Sequence, residues 1–190
     1  MSKQKRQHKK NKIRLIILEG ESEKHFYNSF KEKYAGEKVD VFLLGENKNF
    51  KKIDDNIKMS IRELGYKQVW LVVDLKTQKS GSERHYRDEK ELLTEYRENL
   101  KQFNTSVLIV VIQDLECWLL LYFNKYPNTE IINDAGKRVK KLMGHDHKGI
   151  GKPQITKMLL KKSDFWDTLI KYKSKNNSFR KFLELVNHDL

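Results

Sequence analysis

Three short aliphatic runs punctuate this chain: Ile13 to Leu18, Val69 to Val73 and Val107 to Ile112. Each is flanked by polar residues and is too short for a buried helix, which suits a strand covered on both faces. A fourth run, Val39 to Leu44, reads as another strand. Between them the apolar positions repeat at helical steps. His25, Phe26, Phe30 and Tyr34 share one face of a helix over 21–34, with acids in its first turn. Ile53, Ile57, Ile61 and Leu64 define a helix over 50–64 that ends at Gly65. Residues 88–102 also read as helical, whereas 74–87 read as a polar loop without periodicity.

Strands alternating with helices predict an α/β fold with a mostly parallel sheet and helices on both faces. Gln113 to Phe123 reads as a further helix, with Leu115, Trp118, Leu119, Tyr122 and Phe123 on its apolar face. Beyond Tyr126 the strand signals stop at Pro127 and Asn128. Short helical segments follow around 134–143, 153–162, 164–172 and 178–187. The expected organisation is a basic tail over 1–12, disordered when free, an α/β core over 13–126 and a small basic helical extension over 127–190.

Acids stand where the buried strands stop. Glu19 follows the first run, with Gly20 allowing a tight turn into the next helix. Asp74 ends the second, and Glu116 lies just beyond the third. Ligands of open α/β sheets bind at the carboxyl ends of strands. Carboxylates held close repel one another unless a proton or cation lies between them. A hard cation such as Mg²⁺, or Mn²⁺, is the economical answer.

Charge adds a partner. With 39 Lys and Arg against 26 Asp and Glu, the net charge of +13 favours a polyanion. The charge is clustered: Lys3, Lys5, Arg6, Lys9, Lys10, Lys12 and Arg14 occur with no acid among residues 1–14. A second cluster holds Lys137, Arg138, Lys140, Lys141, Lys148, Lys152, Lys157, Lys161 and Lys162 against the single acid Asp146. Aromatic residues behind it, Trp166 and Phe179 among them, could stack on bases, although packing of the helical extension is their plainer role.

No apolar stretch has the length of a membrane span or the form of a secretory signal, so a cytoplasmic protein is expected. Cys117, the one cysteine, reads as a buried inert thiol. His145 and His147 lack further ligands at metal-site spacing, and the glycines around them do not form a P-loop.

The segment Leu18-Glu19-Gly20-Glu21-Ser22-Glu23 resembles the first motif of TOPRIM domains, and Val72-Val73-Asp74 the start of their Asp-x-Asp motif. Gln113 to Phe123 is similar to the Glu-x-Trp-Leu-Leu segment of RloB-like proteins, relatives of the overcoming-lysogenisation-defect nucleases and of small defence proteins such as AriB. The resemblance covers roughly residues 13 to 124. It implies Mg²⁺-dependent phosphodiester hydrolysis in prokaryotic antiphage defence, often beside an ATPase partner, with RNA or tRNA slightly favoured over DNA. Homo-oligomerisation is compatible with it.

On that resemblance Glu19, Asp74 and Glu116 are metal ligands and catalytic residues, and Glu23 is a supporting ligand. Apart from the resemblance, Lys76 and Lys148 are candidates for contacting phosphate, and Lys137, Arg138, Lys140, Lys141 and Lys152 read as nucleic-acid backbone contacts. One departure stands out: Asp74-Leu75-Lys76 puts a cation where the motif has its second acid. Lys76 turned away, Lys76 on phosphate and an inactive site are all open. The alternative function is a degenerate module that binds nucleic acid or a partner without cutting. A further alternative is a basic scaffold recruited through its tail.

Overall fold

The structure, a computed structural model, describes residues 12–18, 20–45, 49–77, 85–86, 88–102, 104, 106–112, 115–124, 135–144 and 150–189, with 76–77, 85–86 and 187–189 described by backbone only. The basic tail before Lys12, Glu19, Lys148 and the histidines 145 and 147 lie outside the described residues.

Four strands form one parallel sheet: β1 (Ile13–Ile17), β2 (Val39–Leu43), β3 (Gln68–Asp74) and β6 (Val107–Ile112), in the order β2-β1-β3-β6. In the register, Ile13 lies opposite Val39 on one side and Gln68 on the other. All of β1 is buried, and β3 is buried from Val69 onward, as aliphatic runs between two neighbouring strands should be. β6 is only partly covered, because it is an edge strand and Leu108, Ile109 and Val111 stay half-exposed.

The helices α1 (Glu21–Phe30), α2 (Phe50–Lys58) and α3 (Glu89–Asn99) connect these strands. The right-handed rule for parallel crossovers would place α1, which joins β1 to β2, on one face and α2 and α3, which lead the opposite way across the sheet, on the other. Consistent with a shared face, Phe50 of α2 meets Tyr96 of α3 edge-on at 5.2 Å. The order reverses between β1 and β3, so the topological switch point lies at their carboxyl ends.

Neither long helix runs uniformly to its expected end. α1 passes into a wide π-type turn at Lys31–Ala35, and α2 into another at Met59–Glu63. The second is closed by Gly65 at φ 75°, in the left-handed region glycine tolerates. The expected polar loop over 74–87 carries a short antiparallel pair, β4 (Lys76–Thr77) and β5 (His85–Tyr86). Two-residue strands leave no periodicity in a sequence.

Packing divides the chain into two units, residues 1–73 with 88–111 and residues 74–87 with 112–190. The second contains α4 (Leu115–Tyr122), α5 (Ala135–Leu142), α6 (Lys152–Leu160), α7 (Phe165–Lys171) and α8 (Asn177–Asp189). α4 is buried on every side from Leu115 to Leu121, Cys117 included, rather than on one face. Its Trp118 packs against Phe179 and Phe182 at 5.1 and 5.4 Å and donates its indole N–H to Ser178 Oγ at 2.8 Å. Phe179 is fully buried and Trp166 nearly so, which makes them core of this unit rather than a base-stacking platform. Among the described residues no helix is long and apolar enough to cross a membrane.

Candidate functional site

In the first unit, Glu23 is buried in the opening turn of α1, where its Oε2 accepts the Gly20 backbone N–H at 3.1 Å. This is half of a capping box: the acid at N3 satisfies a main-chain donor that the helix cannot. A Cβ on Gly20 would come within 3.4 Å of that carboxylate. Glu23, expected as a supporting metal ligand, therefore already braces its helix. Leu18 continues β1 toward the switch point, its N–H 3.4 Å from Val72 O.

In the second unit, Asp74 is buried as the last residue of β3, at the carboxyl end of that strand. The next residue, Leu75, donates its N–H to Ile112 O at 2.9 Å. Lys76 then lies opposite Tyr86 in the β4–β5 pair, and its side chain is outside the described residues.

Glu116 sits in the first turn of α4 with its side chain 5% exposed, and Lys152 Nζ lies 2.5 Å from its Oε1. Gly136, in the first turn of α5, is the third party. A Cβ there would stand 3.6 Å from Lys152 Cε and 3.7 Å from Glu116 Cγ. Lys152 itself opens α6, followed by Pro153, and Gln154 folds back to accept the Gly151 N–H at 2.6 Å. Three helix starts thus meet around one carboxylate, and the partial positive charge of helix N-termini favours an anion there.

The nucleic-acid residues divide in the same unit. Lys137, Arg138 and Lys141 are exposed on α5 and Lys140 is half-buried, whereas Lys152 is drawn to Glu116 with 39% of its side chain exposed. Its pairing joins positions 36 residues apart in sequence, so no local pattern announces it. Gly136 looks like an ordinary, mildly unfavourable helix glycine until that pair is seen beside it.

Asp74 and Glu116 supply carboxylate oxygens, the donor type Mg²⁺ takes. Among the described residues, however, no group of three or more Asp, Glu, His or Cys side chains could hold a metal ion, and Glu19 is outside that set. The described residues alone do not make a complete metal centre.

A second polar cluster, unmarked in the sequence, occupies the amino end of the sheet in the first unit. Arg14, buried in β1, donates to Ser60 Oγ at 2.9 Å and lies over the rings of Phe42 and Tyr66 at 4.3 and 5.4 Å. Asp40, opposite Arg14 in the register, accepts from Tyr66 Oη at 2.7 Å and from Lys31 Nζ at 3.2 Å. Burial works against the charged form of Asp40, but the bonds from Tyr66 and Lys31 and the nearby charge of Lys12 outweigh it and lower its pKa. Burial, then the bond to Asp40, raises the pKa of the Tyr66 phenol, and burial lowers that of Arg14.

A family model described as RloB-like protein matches residues 14–184, so the chain belongs to the RloB-like family. No curated protein and no solved structure matches it.

Proposed function

We propose that the chain is a metal-dependent nuclease of TOPRIM type that cleaves RNA, tRNA included, ahead of DNA, in prokaryotic antiphage defence beside an ATPase. One observation carries this reading: Asp74 is a buried carboxylate ending a central strand of a parallel sheet, next to a topological switch point. Such positions serve ligand chemistry more readily than packing.

Glu19, Asp74 and Glu116 are the acids assigned to the cation, with Glu23 in support. Mg²⁺ or Mn²⁺, when bound, supplies a polarised phosphate and a more acidic water. Lys137, Arg138, Lys140 and Lys141 would screen the substrate backbone, with Lys148 and Lys76 contacting phosphates closer to the cut.

The test incubates the full chain with total RNA and with plasmid DNA, in Mn²⁺ or in chelator, beside Asp74→Asn and Glu19→Gln. Cutting that needs the cation and falls about a hundredfold or more in either variant supports the proposal. Chelator-insensitive cutting, or full activity in both variants, overturns it.

A second reading, a degenerate module that binds nucleic acid or a partner protein without cutting, is favoured by the Glu116–Lys152 ion pair. A carboxylate neutralised by lysine competes poorly as a ligand. Thermal shift separates the two: Mg²⁺ or Mn²⁺ should raise the Tm of the wild type and not of Asp74→Asn if the metal reading holds.

A further inference from the structure

The register places Ile13 of β1 beside Val39 of β2 and Gln68 of β3. One residue earlier, the same alignment sets Lys38, Lys12 and Lys67 in a row across the amino end of three adjacent parallel strands. The ladder extends to this row, since the Lys67 N–H donates to Lys12 O at 2.9 Å. Neighbouring strands lie about 4.8 Å apart, so the outer two backbones are roughly 10 Å apart. Lys38 and Lys67 are exposed and Lys12 is half-buried.

Helices that cross over between parallel strands return their carboxyl ends to the same edge. Lys58, the last residue of α2, and Lys33, in the wide turn after α1, are exposed there. Residues 1–11, which carry Lys3, Lys5, Arg6, Lys9 and Lys10, join the chain directly before Lys12.

Like charges side by side on neighbouring strands destabilise a sheet. Lysines placed only to guard strands against aggregation would flank either end of them. Here they precede β1, β2 and β3, while Leu18, Leu44 and Leu75 follow them. Complementing helix dipoles explains Lys58 and Lys33 but not the three lysines at strand starts.

We propose that the amino edge of this sheet, centred on Lys38, Lys12 and Lys67, is a second polyanion-binding surface that grips the phosphodiester backbone of single-stranded or looped nucleic acid. It rests on the reading that the chain engages nucleic acid, and not on cleavage. Cations spaced along one sheet edge fit a flexible phosphate chain, whose bases the row has no means to read.

The test is fluorescence anisotropy of the full chain with labelled oligouridylate, in chelator, from 50 to 300 mM salt. The triple variant Lys12→Gln, Lys38→Gln and Lys67→Gln should lower the salt slope by about 2 and the affinity at 150 mM roughly thirty- to a hundredfold. The corresponding Lys→Arg triple should bind as the wild type does, which separates lost charge from lost folding. An unchanged slope in the Gln triple, or wild-type protein that does not bind, overturns the proposal. Polyglutamate of equal charge binding as tightly as the oligonucleotide would assign the edge to an acidic polypeptide and overturn it too. Because no metal is present, these outcomes are independent of whether the protein cuts.

Discussion

Two buried carboxylates, Asp54 in one unit and Glu116 in the other, are held in opposite ways. Asp54, on α2 of the first unit, accepts the backbone N–H groups of Lys101 and Gln102 at 3.0 and 3.1 Å. Those donors are part of the chain path and have no alternative conformers to visit, so the carboxylate acts as a brace between α2 and the turn after α3. Glu116, in the second unit, faces Lys152, a long side chain rooted on another helix and partly open to water. A lysine can move to a phosphate or another acid, and main-chain amides cannot. The contrast teaches that burial alone does not say how an acid is held: one is fixed by the main chain and the other by a side chain that can move.

Three measurements bear on that contrast, the largest effect first. Asp54→Ala removes two part-buried main-chain bonds to a charged acceptor and should lower unfolding free energy by about 2–4 kcal/mol in urea titration, while leaving oligonucleotide affinity unchanged. A loss below 1 kcal/mol would remove the brace from the comparison.

Lys152→Met leaves Glu116 in its enclosed site without that cation and should cost about 1–3 kcal/mol, discounted from a fully buried pair because Lys152 is partly solvated. The double variant with Glu116→Gln should recover part of the loss, so a thermodynamic cycle reads the coupling directly. Strictly additive losses would show that the pair is not a unit.

The smallest effect concerns Tyr66→Phe, which removes the phenol bond to Asp40 and should cost about 1 kcal/mol at pH 7. A lowered folded pKa means that the stability from Asp40 is complete above the ordinary carboxylate range near pH 4 and fades as pH falls through the lowered value. The gap between variant and wild type should therefore narrow below about pH 4. A gap that widens there would mean Asp40 is not the partner being lost.

Much of this architecture is legible in the chain. Aliphatic runs at Ile13, Val69 and Val107 locate three strands, because sheet interiors demand uninterrupted apolar residues. Repeats at Ile53 and Ile57 locate a helix, because one face must be buried. The wide turns at Lys31 and Met59 escape notice because a single helical turn with i→i+5 bonds barely disturbs the spacing of apolar positions. The site is less legible. Asp74 stands out as an acid closing an apolar run, yet the partner of Glu116 comes from a helix that no local rule ties to it. Glu23 illustrates the converse: a motif acid near a strand end is accounted for by Gly20 three residues before it.

The wide turns have one more consequence. Each immediately precedes the chain's approach to a strand, β2 after the first and β3 after the second. Such a turn holds one residue more than an α-turn, so removing one residue from either would tighten it to an α-turn and shorten the stretch that leads into the strand. Asp40 and Tyr66, which follow those turns, meet beside Arg14 only while both segments keep their present number of residues. Single-codon deletions there are consequently the changes most able to dismantle this cluster without altering any side chain in it.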